Sequence, residues 1–307
     1  MEYFVVDIGG SSIKYAVMDE NQRFIRKGKA ESRHLQNRDE FVSCLSDLYT
    51  ENGACEGGIA VSYCGEVDAG TGYLHSGGSY RYMAGQNLKQ LLEGKTGTIV
   101  NIENDGNCAG LAESRYGSLR GFGNAAVIVI GTGLGGALIL SNALYRGIHG
   151  YAGSASLMVR NFDVPYTKQQ WAFRTAGAAW PGKEYGARKG IEAVDGITFF
   201  EAVKAGDTTA QEVLADYCST LANLLFDMNM ILDLEAIAIG GGISQQPLLL
   251  EYLQKAFDNI YSSEGMAALH LPKPEIRICQ YHNDANLIGA LSHHLNMINT
   301  EESGKSN

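Results

Sequence analysis

A strand–turn–strand pattern occurs twice in this chain, and this repeat limits its possible folds more than any other feature. The first copy consists of the apolar runs Tyr3–Val6 and Ile13–Met18 around the polar turn Asp7–Ser12. The second copy begins about 124 residues later, with the apolar runs Ala125–Ile130 and Ala137–Leu140 around the turn Gly131–Gly136. Apolar runs joined by such short turns predict β-hairpins. A repeated hairpin in a chain of 307 residues indicates two similar lobes.

Strand-like and helix-like segments alternate around the two hairpins. The predicted strands lie near Gly58–Ser62, Thr98–Ile102, Ala236–Ile239 and Glu275–Cys279. The predicted helices lie near Arg38–Tyr49, Asn87–Leu92, from Asn104, Thr208–Leu232, Gln246–Ile260 and Ala285–Met297. This alternation predicts an α/β protein in mixed layers. We expect lobes of residues 1–118 and 119–307, a C-terminal helix packed back on the first lobe, and a frayed polar tail over 300–307.

Charge and cysteine content exclude several classes of protein. Lys plus Arg number 24 against 34 Asp plus Glu, a net charge of −10, and no dense basic block occurs. Nucleic acid and anionic membranes are therefore not expected as partners. The six cysteines form no C-x-x-C pair, and Met1 leads straight into a strand, so we expect a reduced, cytoplasmic protein. The uncharged stretch Gly121–Tyr145 is rich in glycine and breaks into two β-type runs, which argues against a membrane helix.

The turn of the first hairpin has the residues of a phosphate-binding loop. It contains Asp7, Gly9, Gly10, Ser11 and Ser12, with Lys14 just beyond. Backbone N–H groups in such a turn can cradle phosphate oxygens, and a carboxylate beside them can hold Mg²⁺ or its water shell. The lysine can add a cation. A plain hairpin turn is the alternative.

Two further glycine motifs resemble common nucleotide-binding signatures without meeting their requirements. Gly131–Gly136 matches G-x-G-x-x-G, but a strand follows it instead of a helix, and no acidic residue lies between Glu113 and Asp163. Gly94–Thr96 ends like a P-loop, but Lys89 stands where that motif needs glycine. Neither a dinucleotide fold nor a P-loop fold is expected.

Two other segments could contribute to a ligand site. Asn104 and Asp105 follow an apolar strand and open a helix, where the carboxylate could take a proton from a substrate hydroxyl. A helix N-cap with acidic residues near the dipole is the alternative. Gly240–Ser244 follows a strand and precedes a helix, so its bare backbone could approach a flat or charged ligand closely.

Taken in order, these segments resemble the ROK family of sugar kinases and related repressors, within the actin-like ATPase and hexokinase superfamily. The matching segments are Asp7–Lys14, Gly65–Gly72, Glu103–Glu113, Gly131–Gly136, Gly240–Ser244 and Asp284–Ala290. The resemblance implies a two-lobed actin-like ATPase (ribonuclease H-like) fold with a central cleft. It also implies that ATP and Mg²⁺ bind in this cleft, with the phosphates held by both hairpins.

The resemblance further implies an enzyme that transfers the γ-phosphoryl group of ATP to a hydroxyl, O6, of a hexose or β-glucoside. Asp105 would be the general base, and Asp7 would organise Mg²⁺. The sugar pocket would contain Gly65, Glu66, Gly78, Asn104, Asp105 and Ser154. ATP would contact Gly9, Gly10, Ser11, Ser12, Lys14, Gly131, Thr132, Gly133, Gly135, Gly240, Gly241 and Gly242. A homodimer is expected on the same ground.

The chain departs from the family in its A-G-E-x-G-H motif. Ser154 and Leu157 stand where the family has the sugar-binding Glu and the His that supports sugar and zinc. No cysteine lies between Cys108 and Cys218, so we expect no structural zinc. The serine leaves room for a glycoside, but a slow kinase or a sugar-binding protein without turnover would fit as well. A sugar-responsive repressor is disfavoured, because Asp7 lies only six residues after Met1 and the charge is −10.

Overall fold

The contacts of this computed structural model divide the chain into two units. The structure describes residues 1–10, 12–32, 35–159, 171–263 and 265–305, with side chains as far as Thr300. The first unit comprises Met1–Ala112, Arg146–Ala152 and Asp284–Asn307, and the second comprises Glu113–Tyr145 and Gly153–Asn283. The chain therefore crosses between the units four times. The predicted boundary after residue 118 lies shortly after the first crossing.

The first unit contains a five-stranded sheet in the order β3-β2-β1-β4-β7. Its strands are β1 (Glu2–Ile8), β2 (Ser12–Asp19), β3 (Phe24–Glu31), β4 (Ile59–Tyr63) and β7 (Val100–Asn104), with a small separate hairpin of β5 (Val67–Asp68) and β6 (Tyr73–Leu74). Its helices are α1 (Arg38–Glu51), α2 (Leu88–Thr96), the first part of α3 (Asp105–Arg115) and α9 (Ala285–Lys305). β1, β2 and β3 pair antiparallel, whereas β1, β4 and β7 pair parallel.

Successive side chains of a strand point to opposite faces of the sheet, and different helices pack on the two faces here. Phe4, Val6 and Ile8 of β1 join the apolar core to which α1 and α2 contribute. Tyr3 and Asp7 point to the opposite face, where they contact residues of α9. The C-terminal helix thus packs on the sheet of the first unit, against β1, β4 and β7.

The second unit contains a five-stranded sheet in the order β10-β9-β8-β11-β12. Its strands are β8 (Ala125–Ile130), β9 (Leu134–Leu140), β10 (Ala143–Tyr145), β11 (Ala236–Gly240) and β12 (Glu275–Ile278). Its helices are α4 (Ala172–Thr175), α5 (Trp180–Lys189), α6 (Gly196–Lys204), α7 (Thr208–Leu232) and α8 (Pro247–Ser262). β8, β9 and β10 pair antiparallel, and β8, β11 and β12 pair parallel.

The two sheets have the same plan of three antiparallel strands followed by two parallel ones. Both hairpins predicted from the repeat are confirmed, as β1–β2 and β8–β9. Helix α7 has the predicted bounds, because the side chain of Asp207 caps its start by accepting from the Ala210 N–H at 3.0 Å. The sequence missed β3, which lies at the sheet edge and carries mostly exposed residues without an apolar alternation. Helix α9 runs to Lys305 instead of ending at Met297.

Within the residues that the structure describes, no helix combines the length and the hydropathy that crossing a membrane requires. The uncharged stretch Gly121–Tyr145 forms β8, β9 and β10, as its division into β-type runs predicts.

Candidate active site

Asp105 is the first residue of α3, immediately after β7 ends at Asn104. Its side chain is half-buried, and Oδ1 accepts a hydrogen bond from the Gly106 N–H at 2.8 Å. Burial, and after it the negative charges of Asp7 and Glu66, raise the pKa of this carboxyl to about 7. A carboxylate with a pKa near neutrality is suited to act as a general base.

Asp7 lies near the end of β1 and is 5% exposed. Its Oδ1 accepts hydrogen bonds from Ser62 Oγ at 2.9 Å and Asn286 Nδ2 at 3.0 Å. Its Oδ2 lies 3.6 Å from Nζ of Lys14, the residue paired with it across the β1–β2 hairpin. Three side chains from different elements therefore fix this carboxylate.

The donor set around Asp7 fits Mg²⁺. The described residues contain no group of three or more His, Cys, Asp or Glu side chains that could hold a metal ion. Mg²⁺ does not need such a group, since it keeps several waters and binds through one or two carboxylates plus substrate phosphates. Asp7 Oδ2 could supply this carboxylate, because both neutral donors contact Oδ1.

The turn after β1 is shaped by close backbone packing. The Gly9 N–H donates to the Ser12 carbonyl at 3.1 Å, and the Tyr80 hydroxyl donates to the Gly9 carbonyl at 2.7 Å. A Cβ atom at Gly10 would collide with Oγ of Ser79, so a larger residue there would require the Ser79 side chain to move. Ser11 lies outside the described residues.

The predicted sugar residues of the first unit lie around the start of α3. Asn104 Nδ2 donates to the Gly65 carbonyl at 3.0 Å, which ties the turn after β4 to the end of β7. Gly78 has a φ of +54°, and a Cβ atom there would collide with the Cys64 carbonyl. Glu66 contributes to the raised pKa of Asp105. Gly65, Glu66, Gly78, Asn104 and Asp105 therefore belong to one local arrangement.

The second unit contains the other glycine turn, between β8 and β9. The Gly131 N–H donates to the Gly133 carbonyl at 2.9 Å, and the Leu134 N–H donates to Ser156 Oγ at 3.0 Å. Gly131 and Thr132 are exposed, so the tip of this turn is open to a ligand. Gly135 lies further along, within β9, where it pairs with Val129.

The glycine triplet Gly240–Gly242 lies beside that turn within the same unit. β11 runs parallel to β8, and Gly240 pairs with Val129. Gly241 has a φ of +90° and packs against the carbonyl of Ile130, the last residue of β8, so a side chain would be excluded. A short 3₁₀ turn, Gly242–Gln245, precedes α8. The structure thus brings together the two glycine motifs of the second unit.

Ser154 belongs to the second unit, just before the 3₁₀ turn Ala155–Leu157. It is half-buried, and Leu157, at the position of the family's His, is 50% exposed. The remaining predicted sugar residues belong to the first unit.

A buried ion pair that was not predicted from the sequence lies beside Asn104. Glu103 is 0% exposed, and its Oε2 accepts from Arg146 Nε at 2.7 Å and lies 2.6 Å from Arg146 Nη2. Nδ1 of His293 lies 3.8 Å from the same oxygen. A glutamate directly after the predicted apolar strand Thr98–Ile102 was a signal for such a pair, because a buried charge needs a partner. Nothing in the sequence indicated that Arg146 would be this partner.

The two sheets of equal plan, each with a glycine-rich hairpin turn, define a two-lobed actin-like ATPase (ribonuclease H-like) fold. The sequence matches the ROK family over residues 3–296, and the chain belongs to this family.

Named relatives and solved structures resemble the chain over almost its whole length. A beta-glucoside kinase from Klebsiella pneumoniae is 28% identical over 296 residues, covering 95% of this chain and 96% of the relative. A ROK family protein from Streptococcus pneumoniae, solved in complex with sucrose, is 29% identical with a TM-score of 0.86, covering 98% of this chain and 100% of that one. A ROK family glucokinase from Streptomyces griseus, solved with glucose and AMPPNP, shares the fold at 23% identity, with a TM-score of 0.81 and coverage of 95% and 98%.

Proposed function

We propose that this protein is an ATP-dependent sugar kinase that phosphorylates the 6-hydroxyl of a β-glucoside. The observation that supports it most is Asp105, a carboxyl with a pKa of about 7 at the start of α3. The side chain of Asn104, the neighbouring residue, donates a hydrogen bond to the Gly65 carbonyl. A base poised near neutrality beside groups that can bind hydroxyls is what phosphoryl transfer to an alcohol requires.

In the proposed reaction, Asp105 accepts the proton of the sugar hydroxyl as its oxygen attacks the γ-phosphorus. The new oxygen–phosphorus bond forms while the bond to the β–γ bridging oxygen breaks, and ADP leaves. Asn104, Gly65, Glu66 and Gly78 would orient the sugar. Positioning and charge neutralisation supply most of the catalysis in such reactions.

The phosphates of ATP would contact the two glycine turns. In the first unit these contacts would come from Gly9, Gly10, Ser11 and Ser12, with Lys14 as a cation. In the second unit they would come from Gly131, Thr132, Gly133 and Gly135, and the adenosine would contact Gly240, Gly241 and Gly242. Asp7 would hold Mg²⁺ directly or through a water. When bound, Mg²⁺ supplies positive charge that neutralises the transferring phosphoryl group.

The preference for a β-glucoside over a free hexose rests on Ser154 and on the relatives. Ser154 stands where the family has a glutamate near the anomeric end of the sugar, and a serine side chain is shorter and uncharged. It leaves space for a group on the anomeric oxygen and removes a strong acceptor for a free anomeric hydroxyl. The named relative from Klebsiella pneumoniae is a beta-glucoside kinase.

ADP release with Mg²⁺-ATP tests the activity across methyl β-glucoside, cellobiose, glucose, mannose, fructose, N-acetylmannosamine and N-acetylglucosamine. We expect the largest kcat/KM with the glycosides and loss of turnover in Asp105→Asn. Proton–phosphorus correlation NMR of the product should place the phosphate on C6. Near-wild-type turnover in folded Asp105→Asn would refute the assignment of the base.

The variant Ser154→Glu tests the substrate preference separately. Restoring the carboxylate should raise kcat/KM for glucose and lower it for methyl β-glucoside. A control is Ser219→Glu, which introduces the same charge at an exposed serine of α7 in the same unit. If both variants respond alike, Ser154 does not determine the preference.

A second candidate function is a ROK protein that binds sugar with weakened turnover. The loss of the family carboxylate at Ser154 favours it, because sugar recognition by charge-assisted hydrogen bonds is reduced. Calorimetric binding of a sugar from the panel without ADP release would support it. Multiple turnovers per enzyme molecule would exclude it.

We further propose a cytoplasmic homodimer. Light scattering coupled to size exclusion should give twice the mass of 33.1 kDa. A monomer at the assay concentration would contradict the proposed dimer.

A further inference from the structure

Glu103 joins the catalytic segment to a buried ionic contact. It is the penultimate residue of β7, and its side chain is 0% exposed. Its Oε1 accepts from the Asn104 N–H at 2.9 Å and from Asn107 Nδ2 at 3.0 Å. One oxygen of this carboxylate therefore holds both the residue before Asp105 and the first turn of α3.

The other oxygen of Glu103 is held by Arg146. Nε and Nη2 of the guanidinium contact Oε2 at 2.7 and 2.6 Å, a short and charge-assisted contact. Arg146 begins the segment Arg146–Ala152, which belongs to the first unit although the residues on either side belong to the second. The Ala152 N–H donates to the Arg146 carbonyl at 3.1 Å, and Gly150 packs against the carbonyl of Val67. The ion pair thus attaches this segment to the end of β7.

Removal of the guanidinium would leave a carboxylate charge in the interior. Nδ1 of His293 lies 3.8 Å from Oε2, which is beyond hydrogen-bond distance, so this ring does not replace the two guanidinium contacts. A buried carboxylate without its cation must reach solvent or take up a proton. Either change moves Oε1 or weakens it as an acceptor, and Oε1 is the atom that holds Asn104 and Asn107.

We propose that Arg146 is a positioning residue for phosphoryl transfer, acting through Glu103 on Asn104 and Asp105. The proposal rests on the proposed kinase function for its kinetic consequence. Its structural part, that Arg146 holds the start of α3 in place, is independent of any substrate. A displacement of a catalytic group by about 1 Å can lower a rate by about a hundredfold.

The first test compares Arg146→Met with Arg188→Met. Arg188 is a matched control, because its side chain is 34% exposed against 35% for Arg146 and it also pairs with carboxylates, Glu184 and Asp216. We expect Arg146→Met to lower kcat by about 10- to 100-fold with the KM for ATP unchanged, since the described contacts of Arg146 are with Glu103 and Ala152, which are not predicted phosphate residues. Arg188→Met should keep the wild-type values.

The second test uses chemical rescue. Arg146 lines a pocket of about 470 Å³, so we expect that removing its side chain opens a path for a small cation from this pocket to Glu103. Other residues that line it are Asp68, His75, Ile148, His149 and His293. Millimolar guanidinium should restore a large part of kcat in Arg146→Ala and leave wild type unchanged. Urea, which has the same shape without the charge, should not restore it.

A third measurement separates this proposal from the kinase function. In the ligand-free protein, amide hydrogen exchange of residues 103–107 should accelerate in Arg146→Met and not in Arg188→Met. If the wild-type protein phosphorylates no sugar, the proposed function fails and the exchange data still decide the role of Arg146. Unchanged exchange at residues 103–107 overturns the positioning role.

Arg146→Lys keeps the proposal testable if Arg146→Met does not fold. Lysine keeps a positive charge beside Glu103, but one ammonium cannot reproduce the two guanidinium contacts. We expect a folded protein with kcat lowered several-fold. A kcat per folded molecule within about twofold of wild type in Arg146→Met, or in Arg146→Lys if only that variant folds, would overturn the proposal.

Discussion

The charged side chain of Asp105, the proposed general base, should lower the free energy of unfolding. Its pKa is raised from the ordinary 3.8 to about 7, by burial first and then by the charges of Asp7 and Glu66. The charged carboxylate is therefore less favourable in the folded protein than in the unfolded chain. Asparagine has almost the same shape and no charge, and its Oδ1 can still accept from the Gly106 N–H. Asp105→Asn therefore removes the unfavourable burial of a charge and keeps the hydrogen bond from the Gly106 N–H.

The size and pH dependence of the effect follow from linkage. A rise from 3.8 to about 7, at about 1.36 kcal/mol per pKa unit, corresponds to about 4 kcal/mol as an upper limit. Because the folded-state pKa is the higher one, the folded wild type loses stability as the pH rises from about 4 to about 7. Asp105→Asn should therefore be more stable than wild type by up to about 4 kcal/mol at pH 8, and by roughly half of that at pH 5.5.

Urea denaturation followed by far-UV circular dichroism at pH 5.5, 7 and 8 measures this difference. Asp195→Asn is a control of opposite sign, because the Thr198 N–H donates to that exposed helix cap and lowers its pKa. Its carboxylate should stabilise the fold at pH 8, so its replacement should give no gain. If Asp105→Asn is no more stable than wild type at pH 8, Asp105 is not a desolvated carboxylate and the reasoning fails.

The same residue predicts the pH dependence of the proposed reaction. If Asp105 acts as base, kcat/KM for the sugar should fall about tenfold per pH unit below about 7. Asp105→Asn should reduce turnover by about 10²- to 10⁴-fold, while gaining stability. An acid limb centred well below pH 6 would show that another group controls the rate.

Three further substitutions test other parts of the first unit. His294 is buried and contacts Asn101 Nδ2 at 3.0 Å and the Gly57 carbonyl at 2.8 Å, so His294→Ala should lower the free energy of unfolding by at least about 2 kcal/mol in urea titrations. Gly78→Ala places a methyl group against the Cys64 carbonyl at a positive φ and should weaken sugar binding measured by calorimetry. The control Gly97→Ala, also at a positive φ but with open space around it, should leave sugar binding unchanged. Asp7→Asn should raise the Mg²⁺ concentration needed for half-maximal turnover, and an unchanged Mg²⁺ dependence would exclude Asp7 from the metal site.

Local patterns in the sequence were enough to predict much of the fold. The β8–β9 hairpin was evident because two apolar β-type runs flank a glycine turn. Helix α7 was predicted at its observed bounds because Asp207 supplies a cap and a long apolar periodicity follows. β3 was missed because an edge strand with exposed charges has no apolar alternation. Polar residues after an apolar strand at a helix start left Asn104–Asp105 open as a ligand site or a helix cap, and the family resemblance made it the predicted site.

The contacts that define the candidate site join residues far apart in the chain. Asn286 of α9 donates a hydrogen bond to Asp7, 279 residues earlier in the chain. Arg146 donates a hydrogen bond to Glu103, 43 residues earlier. Neither partner could be chosen from the sequence, because many amides and arginines had the required chemistry. Only the folded chain selects the pairs.

The sequence by itself determined both hairpins, most of the other strands and the long helices, and which turns have the residues to approach phosphate, because these properties depend on neighbouring residues. The tertiary structure alone decided which face of the first sheet α9 covers. It also decided which cation neutralises Glu103, and that the pKa of Asp105 rises to about 7. The physical reason is that burial and charge proximity are properties of the packed chain, since desolvation depends on atoms that residues distant in sequence bring together.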